Sequence, residues 1–83
     1  MKTNVYSVFD AKTDAFAQPF FAPTNGSALR SFISAAQDPA TLLSKHPGDY
    51  SLYQIGEFDD DDGQIKAAEP IVNLGTAASF IAS

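Results

Sequence analysis

The sequence predicts a small α+β protein, with an antiparallel sheet of about four strands packed by a central helix. Three observations lead to this prediction. Alternating β-branched and aromatic residues occur near both ends of the chain, an apolar stripe with helical spacing lies between them, and turn-forming residues separate the segments. The predicted order of elements is ββααββα, which is typical of α+β folds. At this length, residues 1–83 are expected to form a single domain.

The first two strands are predicted to form a hairpin. Residues 4–9 alternate in the manner of a strand, with Val5, Ser7 and Phe9 on one side and Tyr6 and Val8 on the other. A polar turn over residues 10–14 leads into a second strand over residues 15–22. Pro19 has no backbone N–H, so this strand is expected at a sheet edge or with a bulge.

The central helix is predicted to begin at Thr24, whose hydroxyl can cap the free amides of Gly26 or Ser27. Its apolar stripe has the spacing i, i+3, i+4 and i+7 and consists of Leu29, Phe32, Ile33 and Ala36. Asn25-Gly26 is also a tight-turn dipeptide, which leaves a hairpin as the less favoured alternative.

A second, short helix is predicted over residues 40–45. Asp38 is a good N-cap, and Pro39 is favoured at the first helical position. Leu42 and Leu43 are expected to point inward. His46-Pro47-Gly48 should end this helix, and His46 is expected to close its C-terminus.

The last part of the chain is predicted to be two strands and a helix. Residues 50–58 form strand three, with Tyr50, Leu52, Gln54 and Phe58 on one face and Tyr53 and Ile55 on the other. Residues 64–72 form strand four, and Pro70 suggests an edge position or the end of the strand. A short helix follows Gly75-Thr76.

Composition limits the classes of function. The net charge is −5, and the five Lys and Arg residues are scattered, which disfavours tight, autonomous binding of nucleic acid. Cysteine is absent, so neither a disulfide nor a thiolate metal site is expected. We expect no membrane span, an unprocessed chain in the cytoplasm, and a homodimer that would extend the small core.

The acidic stretch, which contains Asp59, Asp60, Asp61 and Asp62, has three interpretations. Asp62-Gly63 between alternating strands favours a hairpin turn whose other aspartates are solvated. A calcium loop with Gly63 at its sixth position would put Phe58, which cannot ligate, at the first. The third interpretation is an acidic contact surface for a basic partner.

Catalytic chemistry has little support in the sequence. His46 is the single histidine, and Asp49 lies three residues beyond it, yet no nucleophile elbow accompanies them. A Ser/His/Asp triad assembled by folding is the alternative, weaker than a structural role for His46. No phosphate-binding glycine motif occurs, and we expect no cofactor. The protein is predicted not to be an enzyme.

Most of the aromatic residues have the spacing of core residues in strands. Tyr6 and Tyr53 lie on strand faces opposite Phe9 and Leu52, respectively. If one face of the sheet is uncovered, these two tyrosines are the best candidates for a stacking platform or an interface.

Three segments, which occur in the same order along the chain, resemble the small nonstructural protein of gokushoviruses. Gokushoviruses are single-stranded DNA phages of the Microviridae. The segments are "VYSVFDAKTDAFAQPFFAPT", "ALRSF" and "DPATLLSKHPGDYSLYQIGEFDDDDGQI", and they cover about residues 4–65. The resemblance implies a phage-encoded protein of the host cytoplasm, outside the virion shell, with a role in viral DNA replication. It brings no set of catalytic residues.

The resemblance and the charge together predict a non-enzymatic accessory protein in replication or packaging of a single-stranded DNA genome. Contacts with phage or host replication and packaging proteins suit the acidic chain, and the expected contact residues are Tyr6, Tyr53, Asp59, Asp60, Asp61 and Asp62. The alternative is a single-stranded DNA-binding protein that stacks bases on its aromatic side chains.

Overall fold

The computed structural model describes residues 1–81, so the last two residues of the predicted domain lie outside it. It confirms the α+β class. The strands are β1 (Lys2–Asp10), β2 (Ala15–Phe16), β3 (Phe20–Ala22), β4 (Tyr50–Asp59) and β5 (Gln64–Thr76). The helices are α1 (Asn25–Gln37), α2 (Leu42–Lys45) and α3 (Ala77–Ile81), with a 3₁₀ turn at Pro47–Asp49.

The sheet is antiparallel and has the strand order β2-β1-β4-β5, and β3 also pairs with β1. The second predicted strand is therefore present as two short pieces, β2 and β3, separated by residues 17–19. Pro19 lies in this break, as its missing N–H predicts. The buried Ser7 hydroxyl donates to the Ala17 carbonyl at 2.7 Å, which satisfies an acceptor that the broken strand leaves free.

Helix α1 begins where the capping residue predicts. The Thr24 side chain accepts a hydrogen bond from the Ser27 N–H at 3.1 Å, and the Ser27 hydroxyl accepts one from the Thr24 N–H at 3.3 Å. The alternative of a hairpin turn at Asn25-Gly26 is wrong. Of the predicted stripe, Phe32 and Ala36 are buried and Leu29 packs against the core, whereas Ile33 is only partly buried; Ala28, outside the predicted stripe, is buried as well.

The start of α2 differs from the prediction. Thr41, not Asp38, is its N-cap and accepts from the Ser44 N–H at 3.2 Å. Asp38 instead ends α1, because its N–H donates to Ala35 and its carboxylate accepts from the Ala40 N–H. Leu42 is 60% exposed, so its predicted inward position is wrong.

The other predictions for α2 are confirmed. Leu43 packs against the core. The His46 N–H donates to the Leu42 carbonyl at 2.9 Å and closes the helix, while the side chain of His46 remains exposed.

The core lies between the helices and one face of the sheet. Its buried residues are Tyr6, Ala22, Ala28, Phe32, Ala36, Leu52 and Ala77. Four of these seven are alanines, so the elements approach closely but bury little apolar surface per residue. The Phe32 ring meets Phe80 of α3 edge-on, with centroids 6.4 Å apart.

Strand β5 runs four residues beyond its predicted end and leads directly into α3. Its register against β4 shifts between the pairs Gly56↔Ala67 and Gln54↔Val72, so the four residues 68–71 bulge out of the ladder opposite the single residue Ile55. The Thr76 hydroxyl accepts from the Ser79 N–H at 3.2 Å and starts α3. Within residues 1–81, none of the helices has the length and hydrophobicity that a membrane span requires.

Candidate functional site: the open face of the sheet and the acidic hairpin

One face of the sheet is not covered by the helices, and we call it the open face. Paired residues of adjacent strands point to the same side, so the register identifies its members. They are Thr3, Val5, Ser7, Phe9, Phe16, Phe21, Ser51, Tyr53, Gly56, Phe58, Ile65, Ala67, Asn73 and Thr76. None of these residues is charged.

Aromatic rings form two clusters on the open face. Phe9, Phe16 and Tyr53 have ring centroids 4.9–6.1 Å apart. Phe21 and Phe58 meet edge-on at 5.8 Å. Both geometries are favourable for aromatic pairs, so the rings hold one another in place although no helix covers them.

The open face remains accessible to a partner. Phe16 is 48% exposed, Phe21 52% and Ile65 61%. A shallow depression of about 410 Å³ lies between Thr3, Phe21 and Phe58. Apolar residues that are exposed next to one another are typical of interaction surfaces, whereas single exposed apolar residues occur on most proteins.

The acidic stretch forms a hairpin loop over residues 59–63, which we call the acidic hairpin. The Asp59 carboxylate accepts from the Asp61 N–H at 2.9 Å, and the Asp62 carboxylate accepts from the Gln64 N–H at 2.9 Å. Gly63 has a φ of +72°, which glycine adopts without strain, and its N–H donates to the Asp59 carbonyl at 2.8 Å. The predicted hairpin turn at Asp62-Gly63 is therefore confirmed, and Asp59, which the sequence predicts to be solvated only, also shapes the turn.

The remaining aspartates of the acidic hairpin face solvent. Asp60 and Asp61 lie within ion-pair distance of the Met1 amino group, at 2.6 and 3.4 Å. Hydrogen bonding and charge from Asp60 raise the pKa of this amino group. Carboxylate oxygens of Asp59, Asp60 and Asp61 lie within 4.8 Å of one another, so these are the residues that could hold a divalent cation. The flanking elements are strands β4 and β5, which contradicts the helix–loop–helix calcium site.

Tyr6 does not belong to this surface, and its prediction as a contact residue is wrong. It lies on the helix-covered face, fully buried, and stacks on Phe20 at 5.7 Å. Its hydroxyl donates to the Asn25 side chain and accepts from Asn4 Nδ2 at 3.0 Å. Because α1 lies over this side of β1, Tyr6 joins the sheet to the start of the helix.

The family model described as Phage ORF5 protein matches residues 3–80. The chain belongs to this family. No curated protein and no solved structure gives a significant match.

In this Phage ORF5 family protein, the predicted contact residues other than Tyr6 lie at two places. Tyr53 is half-buried in the middle of the open face, and its hydroxyl accepts from Asn73 Nδ2 at 3.3 Å. The acidic hairpin is at the end of the same strand, and six residues of extended chain place Asp59 roughly 20 Å from Tyr53. The structure thus supplies two separate surfaces rather than one combined site.

The sequence does not predict most of the aromatic residues on the open face. Strand alternation predicts Phe58 on the side of Leu52, but the extra residue Ile55 shifts the register between β1 and β4 and moves Phe58 to the open face. Phe16 could have been found, because a four-residue turn after Asp10 pairs Phe9 with Phe16. No sequence signal identified the Ile55 bulge.

Tyr50 lies near the far end of the sheet, on the side of the helices. Burial raises the pKa of its hydroxyl, and the carboxylates of Asp10 and Asp49 raise it further. An open cavity of about 310 Å³ adjoins Tyr50, Asp10 and Leu43. This end of the sheet is acidic as well, so neither the open face nor the two ends of the sheet within residues 1–81 form a broad cationic surface.

Proposed function

We propose that this chain is a non-enzymatic phage accessory protein that acts in replication or packaging of a single-stranded DNA genome through contacts with phage or host proteins. Membership of the Phage ORF5 family supports the phage origin. The resemblance of residues 4–65 to gokushovirus nonstructural proteins supports a role in genome replication or packaging. It also supports a location in the host cytoplasm, outside the virion shell.

The observation that carries this proposal is the chemistry of the two exposed surfaces. The open face offers aromatic rings and no charge, and the acidic hairpin offers four carboxylates. A nucleic acid backbone requires clustered Lys and Arg, whereas a protein partner can pack on uncharged rings and meet the carboxylates with basic side chains. Charge at the hairpin would chiefly speed the encounter and select the partner.

The non-enzymatic part of the proposal is supported by the position of His46. Its backbone N–H closes α2, and its side chain lies exposed at the helix end. This placement agrees with the structural role that the sequence favours for the single histidine.

The test is capture of partners from infected cells with a tagged chain. The variant Asp60→Asn/Asp61→Asn removes two exposed charges and keeps the two aspartates that shape the turn. We expect recovery of the specific partner to fall several-fold, with the difference shrinking as salt rises, because steering by charge is screened.

The matched control is Asp14→Asn/Glu69→Gln, which changes the net charge equally at exposed residues away from the hairpin. Asparagine tolerates the positive φ of 57° at residue 14. Undiminished recovery with the hairpin variant, or an equal loss with the control, would remove the acidic hairpin from the proposal.

A second candidate function is binding of single-stranded DNA by stacking. It is favoured by the cluster of Phe9, Phe16 and Tyr53 on an exposed sheet face, because bases stack on such rings without needing base-specific contacts. The test is fluorescence anisotropy with labelled oligothymidylate across a salt series. Binding that weakens with salt and is lost in Tyr53→Ala supports stacking, whereas no binding at 20 mM salt, roughly the regime where phosphate contacts are strongest, excludes it.

A further inference from the structure

We propose that the open face is a self-association surface on which a second copy of this chain packs face to face. The inference rests on the proposed function in one respect, since it takes the open face as a protein-binding surface. It goes further by naming the occupant as another copy of the same chain.

The small core is the first reason to expect that the open face is occupied by a second copy. The helix side buries one phenylalanine, one tyrosine, one leucine and four alanines in its main cluster. With no disulfide, a domain of this size has a small stability margin, and association is a common way to enlarge it. A second copy is present whenever the protein is made, so this stabilisation increases with the concentration of the chain itself and needs no other partner.

Charge is the second reason. At a net charge of −5, two copies repel each other, and this repulsion is smallest when their contact excludes the carboxylates. The open face meets that condition because its members are uncharged, and the charged neighbours Lys2, Glu57 and Lys66 point to the helix side. An antiparallel arrangement of the two copies separates the two acidic hairpins from each other, and each then lies near the end of the partner's sheet where Asp10 is on the helix side.

Area is the third reason. Nine residues of strand by four strands give a face of roughly 30 Å by 15–20 Å. This is roughly 450–600 Å² per copy, or about 900–1,200 Å² in total, which is the size of weak interfaces rather than of the standard ones that bury about 1,600 Å². We therefore expect a dimer with a dissociation constant in the micromolar range.

The sheet edges do not compete with the open face as contact surfaces. On one edge, residues 17–19 interrupt the ladder between β2 and β3. On the other, the bulge at residues 68–71 and the missing N–H of Pro70 disrupt β5. Neither edge presents a continuous row of donors and acceptors for strand pairing, so packing through the face is favoured.

The test is sedimentation equilibrium of the purified full chain between 1 and 300 µM. We expect dimers at the upper end and monomers at the lower end. The variant Ile65→Lys places a charge on the open face at a residue that is 61% exposed, and we expect it to raise the dissociation constant at least tenfold. Leu42→Lys is the matched control, because Leu42 is 60% exposed, lies on α2, and gives the same change in net charge.

Phe21→Lys is a second face variant, and circular dichroism establishes that each variant is folded. A monomer at 300 µM overturns the proposal, and so does a dimer that Ile65→Lys and Phe21→Lys leave intact. Dissociation of the dimer by oligothymidylate that binds the open face also overturns it, because the face would then belong to nucleic acid. Capture of a heterologous partner through the acidic hairpin is measured separately, so that failure of self-association does not affect that result.

Discussion

The two faces of the sheet carry similar aromatic side chains but differ in what lies above them. On one face, Tyr6 and Phe20 are covered by α1 and fixed by packing and hydrogen bonds. On the other, the rings of the open face support each other and remain partly exposed. Whether an aromatic residue of this sheet belongs to the core or to the surface is therefore decided by which side of the sheet the helices pack on, and not by the residue type.

The tyrosines show this difference at the level of single atoms. The Tyr6 hydroxyl has two side-chain partners on β1 and α1, and its ring has no exposed surface. The Tyr53 hydroxyl has one partner, Asn73, on the edge strand, and its ring is half-buried. Tyr6 therefore holds the fold together, whereas Tyr53 is available for contacts.

The largest expected effect compares Phe32→Ala with Phe16→Ala. Phe32 is 3% exposed, so its removal leaves a cavity and should lower the free energy of unfolding by about 3–5 kcal/mol. Phe16 is half-exposed and loses mainly its aromatic contacts, which should cost about 1 kcal/mol. Urea unfolding at low micromolar concentration, where self-association contributes least, measures both. Equal losses would show that the open face is as tightly packed as the core.

The hydroxyl groups provide a finer comparison. Tyr6→Phe leaves the Asn25 and Asn4 side chains without their partner in a partly buried position, and should lower the free energy of unfolding by about 1–3 kcal/mol. Tyr53→Phe removes an exposed hydrogen bond and should change it by less than about 0.5 kcal/mol. The same urea titration tests both variants, and a larger loss for Tyr53→Phe would reverse the assignment of the two faces.

Much of the fold could be predicted because its signals are local. The α1 stripe and the Thr24 cap act within a few residues, and Pro19 breaks its strand through its own missing N–H. The assignment of α2 failed because Asp38-Pro39 satisfies the rules for a helix start, yet the Asp38 N–H serves the end of α1. The sequence around Asp38 fits both the end of α1 and the start of α2, and only the tertiary structure shows which of the two roles it has.

The site was less predictable because it depends on register between distant strands. The acidic hairpin was identified, since Asp62-Gly63 is a local turn signal. The open face was not, because assigning Tyr6 and Phe58 to faces requires knowing which side α1 covers and that Ile55 is an extra residue in β4. A one-residue shift exchanges the faces, so single-strand alternation could not decide between them.

A smaller effect is expected at the start of α1, the helix that covers the side of the sheet opposite the open face. Thr24→Ala removes the side-chain acceptor for the Ser27 N–H and should lower the free energy of unfolding by about 1 kcal/mol. Ser34→Ala is the control, because Ser34 is exposed within α1 and alanine has the higher helix propensity, so its change should be at most slightly stabilising. If both variants lowered the free energy of unfolding by similar amounts, the capping box of α1 would make no specific contribution to stability.

The smallest expected effect concerns the acidic end of the covered face. Burial of Tyr50, followed by the carboxylates of Asp10 and Asp49, raises the pKa of its hydroxyl above the usual value. The folded state then holds the phenol proton to higher pH than the unfolded state. Its stabilising contribution is complete below the unfolded pKa of about 10 and is lost as pH rises through the folded value.

The Asp10→Asn variant should lower the pKa of Tyr50, because it removes one of the two carboxylates and keeps an oxygen that can accept from the Lys12 N–H. Ultraviolet titration of phenolate formation, with Tyr50→Phe to assign the signal, measures the change. Asp49→Asn should lower this pKa less, since its carboxylate acts on Tyr50 by charge alone, and Asp14→Asn should leave it unchanged. If Asp14→Asn lowered the pKa of Tyr50 as much as Asp10→Asn does, the raised pKa would reflect the overall charge of this end of the sheet. It would then not depend on a carboxylate adjacent to the phenol.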